Sequence, residues 1–128
     1  MSKKKNIMVD MTCSILHHGH IRLLKKASKI GRVIVALTDD NEIKRHKKFR
    51  SPLNFKQRKE ILQSIRFVTK VVKSKYLITN KFLKDNNIDY LVHGSDNKNN
   101  VNSKYLITFG RTKKISSTDL RKKLKRYF

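Results

Sequence analysis

The chain has 128 residues, with 32 Lys and Arg against nine Asp and Glu, for a formal charge of +23 at pH 7. That length suits one domain over residues 1–128 and is too short for two, and no apolar run approaches the about 18–20 residues of a membrane span. With 38% hydrophobic residues, one proline and four glycines the composition is globular rather than collagen-like, and a single cysteine excludes an internal disulfide.

A reducing, cytoplasmic setting is therefore the expectation. Met1-Ser2-Lys3-Lys4-Lys5 is basic, but the apolar stretch after it is short and broken by Asp10, unlike a signal peptide. The charge itself allows two readings. It attracts polyanions such as nucleic acid, and it equally steers small phosphorylated substrates toward an enzyme.

Lys5 to Asp10 reads as a first strand, because Ile7, Met8 and Val9 are a continuous apolar run suited to burial on both faces. A polar turn, Thr12-Cys13-Ser14, leads to Ile15-Leu16-His17-His18-Gly19-His20. From about Gly19 to Lys29 the spacing of Ile21, Leu23, Leu24 and Ala27 predicts a helix. Its first N–H groups and its dipole make that point an anion seat, which Gly19 lets an anion approach closely. His17 and His20 share one side of the turn, so two imidazoles stand over an oxyanion seat. That suggests phosphoryl chemistry. A zinc site would need three or four ligands, and only Cys13 lies near the pair in sequence, with His46 and His93 far along the chain.

Gly31 is expected to close the helix in a left-handed conformation. Arg32 to Leu37 is a β-branched run and a second strand, which makes a parallel strand–helix–strand unit. A basic loop, Lys44-Arg45-His46-Lys47-Lys48, is expected next, as a mobile phosphate clamp or a solvated charge run. Pro52 and Asn54 announce a second helix with Ile61, Leu62 and Ile65 inward and Arg58 and Lys59 outward. A third strand follows around Val68, Val71 and Val72, then a short helix over Thr79–Asn86, a fourth strand over Ile88–Val92 and a fifth over Lys104–Phe109. The hexapeptide Ser-Lys-Tyr-Leu-Ile-Thr occurs at both 74–79 and 103–108 with no surrounding period, and is read here as near a helix in one copy and a strand in the other. Finally Ile115-Ser116-Ser117-Thr118, ahead of Leu120 and Leu124, reads as a capped helix start, with Arg111 a bidentate phosphate fork nearby.

His17-x-Gly19-His20 after a first strand, together with Arg111-Thr112-x-x-Ile115-Ser116-Ser117-Thr118 before the last helix, resembles the two signatures of the HxGH nucleotidylyltransferase superfamily. The chain is most similar to its small cytidylyltransferases, of which those acting on glycerol 3-phosphate are the simplest. The resemblance covers nearly the whole chain. It departs at Met11, Ser14 and Lys114, which stand where the family has glycine, aspartate and glycine.

The resemblance implies an α/β, Rossmann-like domain of three layers with a five-stranded parallel sheet in the order 3-2-1-4-5, assembled as a homodimer. It implies transfer of CMP from CTP to a small phosphorylated alcohol, or a phosphonate, with release of pyrophosphate. His17, His20, Arg66 and Lys47 would be catalytic. Thr12, Cys13, Gly19, Gly94, Asp96, Arg111, Thr112, Ser116, Ser117 and Thr118 would bind the nucleotide, and Arg45 and Lys47 the second substrate. Mg²⁺ is expected as cofactor, held mainly by the CTP phosphates since carboxylates are few. Adenylyl transfer, nucleic-acid binding through the charge, and a catalytically degenerate member are the alternatives.

Overall fold

The structure, a computed structural model, describes residues 4–93, 99, 101–109 and 117–127. Five parallel strands make one sheet: β1 (Lys5–Met11), β2 (Gly31–Thr38), β3 (Lys70–Ser74), β4 (Tyr90–His93) and β5 (Leu106–Thr108). Their order is β3-β2-β1-β4-β5, as the resemblance implies. The order reverses between β1 and β4, so the carboxyl end of β1 lies at the point where open α/β sheets bind ligands.

Alternation along the strands builds two cores. Ile7, Val9, Met11, Val33, Val35 and Leu37 face one side, covered by Leu24 and Ala27 of α1 (His18–Ile30) and Leu62 of α3 (Phe55–Gln63). Met8, Ile34, Ala36 and Leu91 face the other, against Ile78, Ile88 and Leu83 of α4 (Asn80–Asp85). Burial on both faces is why β1 and β2 read as continuous apolar runs. No helix among the described residues is long and apolar enough to cross a membrane.

Four expectations are corrected. Gly31 is not a left-handed cap: its backbone is extended, with φ −178°, and it opens β2. Glycine is needed for closeness instead, since a Cβ there would stand 2.2 Å from the Lys5 carbonyl oxygen. The expected basic loop is a helix, α2 (Asp40–Lys47), with Ile43 fully buried beneath it. Asp40 and Glu42 in its first turn and the basic residues in its last complement the helix dipole, and Lys48 ends it at φ 57°. Arg58, expected outside, is buried, while Ile61 is exposed. Lys104 and Tyr105 belong to a 3₁₀ turn (Ser103–Tyr105) before β5 rather than to the strand.

The repeated hexapeptide does adopt two structures. Its first copy ends β3 and reaches the cap of α4 at Thr79, and its second runs through the 3₁₀ turn into β5. Position in the sheet, not local preference, decides between them.

Candidate active site

The segment between β1 and α1 is fixed by its own side chains. Cys13 adopts φ 50° and is buried, and Ser14 beside it is also buried. His17 is the N-cap of α1, with extended backbone. The Gly19 N–H donates to His17 Nδ1 at 3.0 Å, and the His17 N–H donates to His20 Nδ1 at 3.1 Å. Two orphan donors of the helix start are thus satisfied by two imidazoles, in the reciprocal manner of a capping box.

This capping has a chemical consequence. Each Nδ1 accepts a backbone N–H, so the neutral ring carries its proton on Nε2. The two rings lie 3.9 Å apart between centroids, tilted by 35°. Burial, reinforced by the charge of His17, pushes His20 down to about 4. Burial and the neighbouring His18 also lower His17. At neutral pH both rings are therefore uncharged Nε2–H donors set over a helix N-terminus, where partial positive charge collects.

Arg58 locks this loop to the rest of the carboxyl edge. From α3 its Nη1 donates to the carbonyl oxygens of Thr12 at 2.8 Å and Thr38 at 2.9 Å. Its Nε reaches the Leu53 carbonyl at 3.2 Å and its Nη2 the Asp40 carboxylate at 2.6 Å. One buried guanidinium so joins the ends of β1 and β2 to the starts of α2 and α3. The sequence does hold a signal for it: Phe55, Arg58, Leu62 and Ile65 recur at helical spacing, and that stripe is the inward one.

The α2 residues sit at the end of the neighbouring strand. Arg45 is exposed and lies 3.6 Å from Glu42, whose Oε1 accepts the Tyr76 N–H at 3.0 Å. His46 stacks on the Tyr76 ring at 4.7 Å and 12°, and Lys47 Nζ stands 5.6 Å from that ring's centroid. Glu42 thus ties α2 to the turn after β3.

The expected site residues fall into three groups. Thr12, Cys13, Gly19, His17 and His20 come together at the end of β1, with Arg45 and Lys47 one strand away on α2. Cys13 serves there as a turn and packing residue: burial pushes its thiol up to about 11, so it stays protonated at neutral pH. Arg66 does not join them. It occupies the connection between α3 and β3, at the amino edge of the sheet, with its guanidinium 4.9 Å over Phe67. Gly94, Asp96, Arg111, Thr112 and Ser116 lie outside the described residues, while Ser117 and Thr118 open α5 (Ser117–Lys125), where a helix start is expected.

Among the described residues, those near the histidines do not form a protein cage for magnesium. Asp40 is engaged by Arg58, and among the described residues no three His, Cys, Asp or Glu side chains converge as ligands.

Comparison with known proteins bears on the family and the fold. The profile of the family described as cytidylyltransferase-like matches residues 12–123. Glycerol-3-phosphate cytidylyltransferase of Bacillus subtilis is 33% identical over 93 residues, 72% of this chain and 72% of that protein. The Staphylococcus aureus enzyme of the same name is 45% identical over 74 residues, 56% of this chain and 54% of that one. The fold is also that of a lipopolysaccharide core biosynthesis protein from Thermoplasma volcanium, with TM-score 0.66 and 18% identity over 98% of this chain and 89% of the other. With a parallel sheet in the order 3-2-1-4-5 and HxGH capping the first helix, the chain belongs to the cytidylyltransferase-like family, as a small cytidylyltransferase of the HxGH nucleotidylyltransferase superfamily.

Proposed function

We propose that this chain transfers the cytidylyl group of CTP to a phosphate oxygen of a small phosphorylated alcohol of the glycerol 3-phosphate type, or of a phosphonate. The observation that carries the proposal is the pair of neutral Nε2–H donors at the helix start beside the switch point of the sheet. An acceptor oxygen bonds to the α-phosphorus, the bond from that phosphorus to the α–β bridging oxygen breaks, and the electron pair leaves with pyrophosphate. No covalent enzyme intermediate and no general base is needed, because the acceptor oxygen is already anionic. The protein positions two anions and stabilises the charge that builds on the departing oxygen.

In this reading His17 and His20 donate to the reacting phosphate and to the bridging oxygen. Neutral donors suit that task, since they strengthen as charge grows without holding the product through a full ion pair. The amide groups at the start of α1 add the field of the helix. Arg45 and Lys47 meet the acceptor's phosphate from α2, and Gly94, Asp96, Arg111, Thr112, Ser116, Ser117 and Thr118 supply the nucleotide contacts that the family pattern implies. Arg66, at the opposite edge, has no part within its own subunit. Mg²⁺ would be held mainly by the phosphates of CTP rather than by side chains, and would supply neutralisation of their charge. A cytoplasmic homodimer completes the proposal.

The test is pyrophosphate release from CTP against a set of phosphomonoesters and phosphonates. The wild-type chain should release it with at least one acceptor. His17→Ala or His20→Gln should lower turnover by about 10²–10³-fold, the cost of removing one transition-state donor. Gln at position 20 retains a side-chain acceptor for the His17 N–H, which separates loss of chemistry from loss of the cap. A folded protein that releases no pyrophosphate with any of the acceptors overturns the proposal. Greater thermal protection by ATP than by CTP would overturn the choice of nucleotide.

A further inference from the structure

The edge of the sheet opposite the histidines carries a second set of cations that the reaction does not use. Lys4 precedes β1 and Lys5 begins it, Arg32 stands at the start of β2, and Lys70 begins β3. The last turns of α1 bring Lys25 and Lys29 to the same edge, since α1 runs back from the carboxyl end of β1 to the amino end of β2. All six are exposed. The absence of a side chain at Gly31 allows the tight crossing that sets Lys5 beside it and Arg32 beside Asn6.

Arg32 is the organised member of the set. Its Nε donates to Asn6 Oδ1 at 2.9 Å and its Nη2 to the Lys4 carbonyl at 3.3 Å, while Asn6 is itself held by its Nδ2 on the Asn87 carbonyl at 2.8 Å. Both acceptors are neutral. The guanidinium is thus oriented with its charge uncompensated. Of the acids at this edge, Asp89 is half-buried with Oδ2 taken by the Asn6 N–H at 2.8 Å, Asp85 at the end of α4 is paired with Lys81, and Glu60 stands in the last turn of α3. The ion pairs among the described residues use Asp39, Asp40, Glu42 and Asp85, and none of them neutralises any of the six. Helix α1 contains no acidic residue.

We propose that this amino-edge face, built from Lys4, Lys5, Lys25, Lys29, Arg32 and Lys70, binds the phosphodiester backbone of a nucleic acid. The cations are spread, with about 4.8 Å between neighbouring strands and about 6 Å from Lys25 to Lys29 along the helix. A single phosphate would meet one or two of them, whereas a polymer of regularly spaced phosphates meets the row. An anionic bilayer fits less well. Binding to a membrane surface calls for a continuous apolar face beside the charge. Leu24 and Ala27 of α1 and Leu62 of α3 are instead buried against the sheet, and the exposed large apolar side chains of these two helices are the single residues Ile30 and Ile61. Contact through phosphates needs no such wedge. The face lies across the sheet from the histidine pair, so an occupant leaves the catalytic edge open.

The experiment measures anisotropy of a fluorescein-labelled oligonucleotide, single- and double-stranded, titrated with the full chain over a salt series. Wild type should bind with a steep salt dependence. Lys25→Glu with Lys29→Glu should reduce the slope of log K against log salt by about two and weaken binding at physiological salt by about tenfold or more. Lys122→Glu with Lys125→Glu on α5 changes the net charge equally and should leave binding within about twofold, on the same argument that contacts rather than total charge set the slope. Pyrophosphate release by both double variants is expected unchanged. Equal losses in the two variants would show a diffuse effect of total charge and overturn the assignment. So would absence of binding by wild type, or binding to phosphatidylserine vesicles with none to the oligonucleotide.

Discussion

The two edges of the sheet treat polar side chains in opposite ways. At the carboxyl edge they are satisfied by one another: two histidines cap one helix, and Arg58 fills four acceptors from three segments. At the amino edge the cations face water, and even the well-oriented Arg32 meets only neutral oxygens. The first arrangement makes a rigid place for chemistry, because ring positions and backbone donors are set before any substrate arrives. The second leaves charge available for something outside the chain.

The most damaging way to break this contrast is to remove Arg58. Arg58→Ala orphans the buried Thr38 carbonyl and releases those of Thr12 and Leu53, and it leaves a cavity in the core; a destabilisation of about 3 kcal/mol is expected from such groups. The midpoint of urea unfolding checks it. Asp40→Asn keeps an acceptor for Nη2 but leaves the buried guanidinium without its counter-charge, so a loss approaching that of Arg58→Ala is expected in the same measurement.

Acid sharpens the same contrast. Because His17 and His20 titrate lower in the folded chain than the ordinary 6.5, the unfolded chain binds more protons in the interval between. Their contribution to stability is complete above about 6.5 and is lost as the pH falls through about 4 at His20. The melting temperature should therefore fall between these values, and His20→Gln should flatten that fall. An unchanged profile in the variant would mean that His20 is not the group held neutral.

The smallest effect is expected at the amino edge. Lys29→Ala removes an exposed side chain with no ion pair among the described residues, so its stability should lie within about 0.5 kcal/mol of wild type. A larger loss, read from the same urea curves, would show that this edge is structurally committed after all.

Much of the carboxyl edge was legible in the chain. The apolar runs at Ile7–Val9 and Val33–Leu37 required doubly buried parallel strands, and the spacing of His17, Gly19 and His20 placed two rings on one turn. Arg58 escapes a sequence reading because a charged residue is normally assigned to the solvent side, and Ile61 takes its place beside Leu62 and Ile65 in the expected inward stripe. The α2 helix escapes it for a similar reason. A run of basic residues looks like a loop until Ile43 finds a buried place and the end charges match the dipole.

The sequence alone determined the strands, their two-sided burial, the first helix start and the histidine pair over it, because these depend on short-range periodicity and on which side chains can cap a helix. Tertiary structure alone decided that Arg58 would be an internal clasp, that Gly31 is required by a neighbour's carbonyl rather than by its own φ, and that Arg66 would lie across the sheet from His17 and His20. Those outcomes depend on which distant backbone atoms arrive beside a residue, and no local pattern records that.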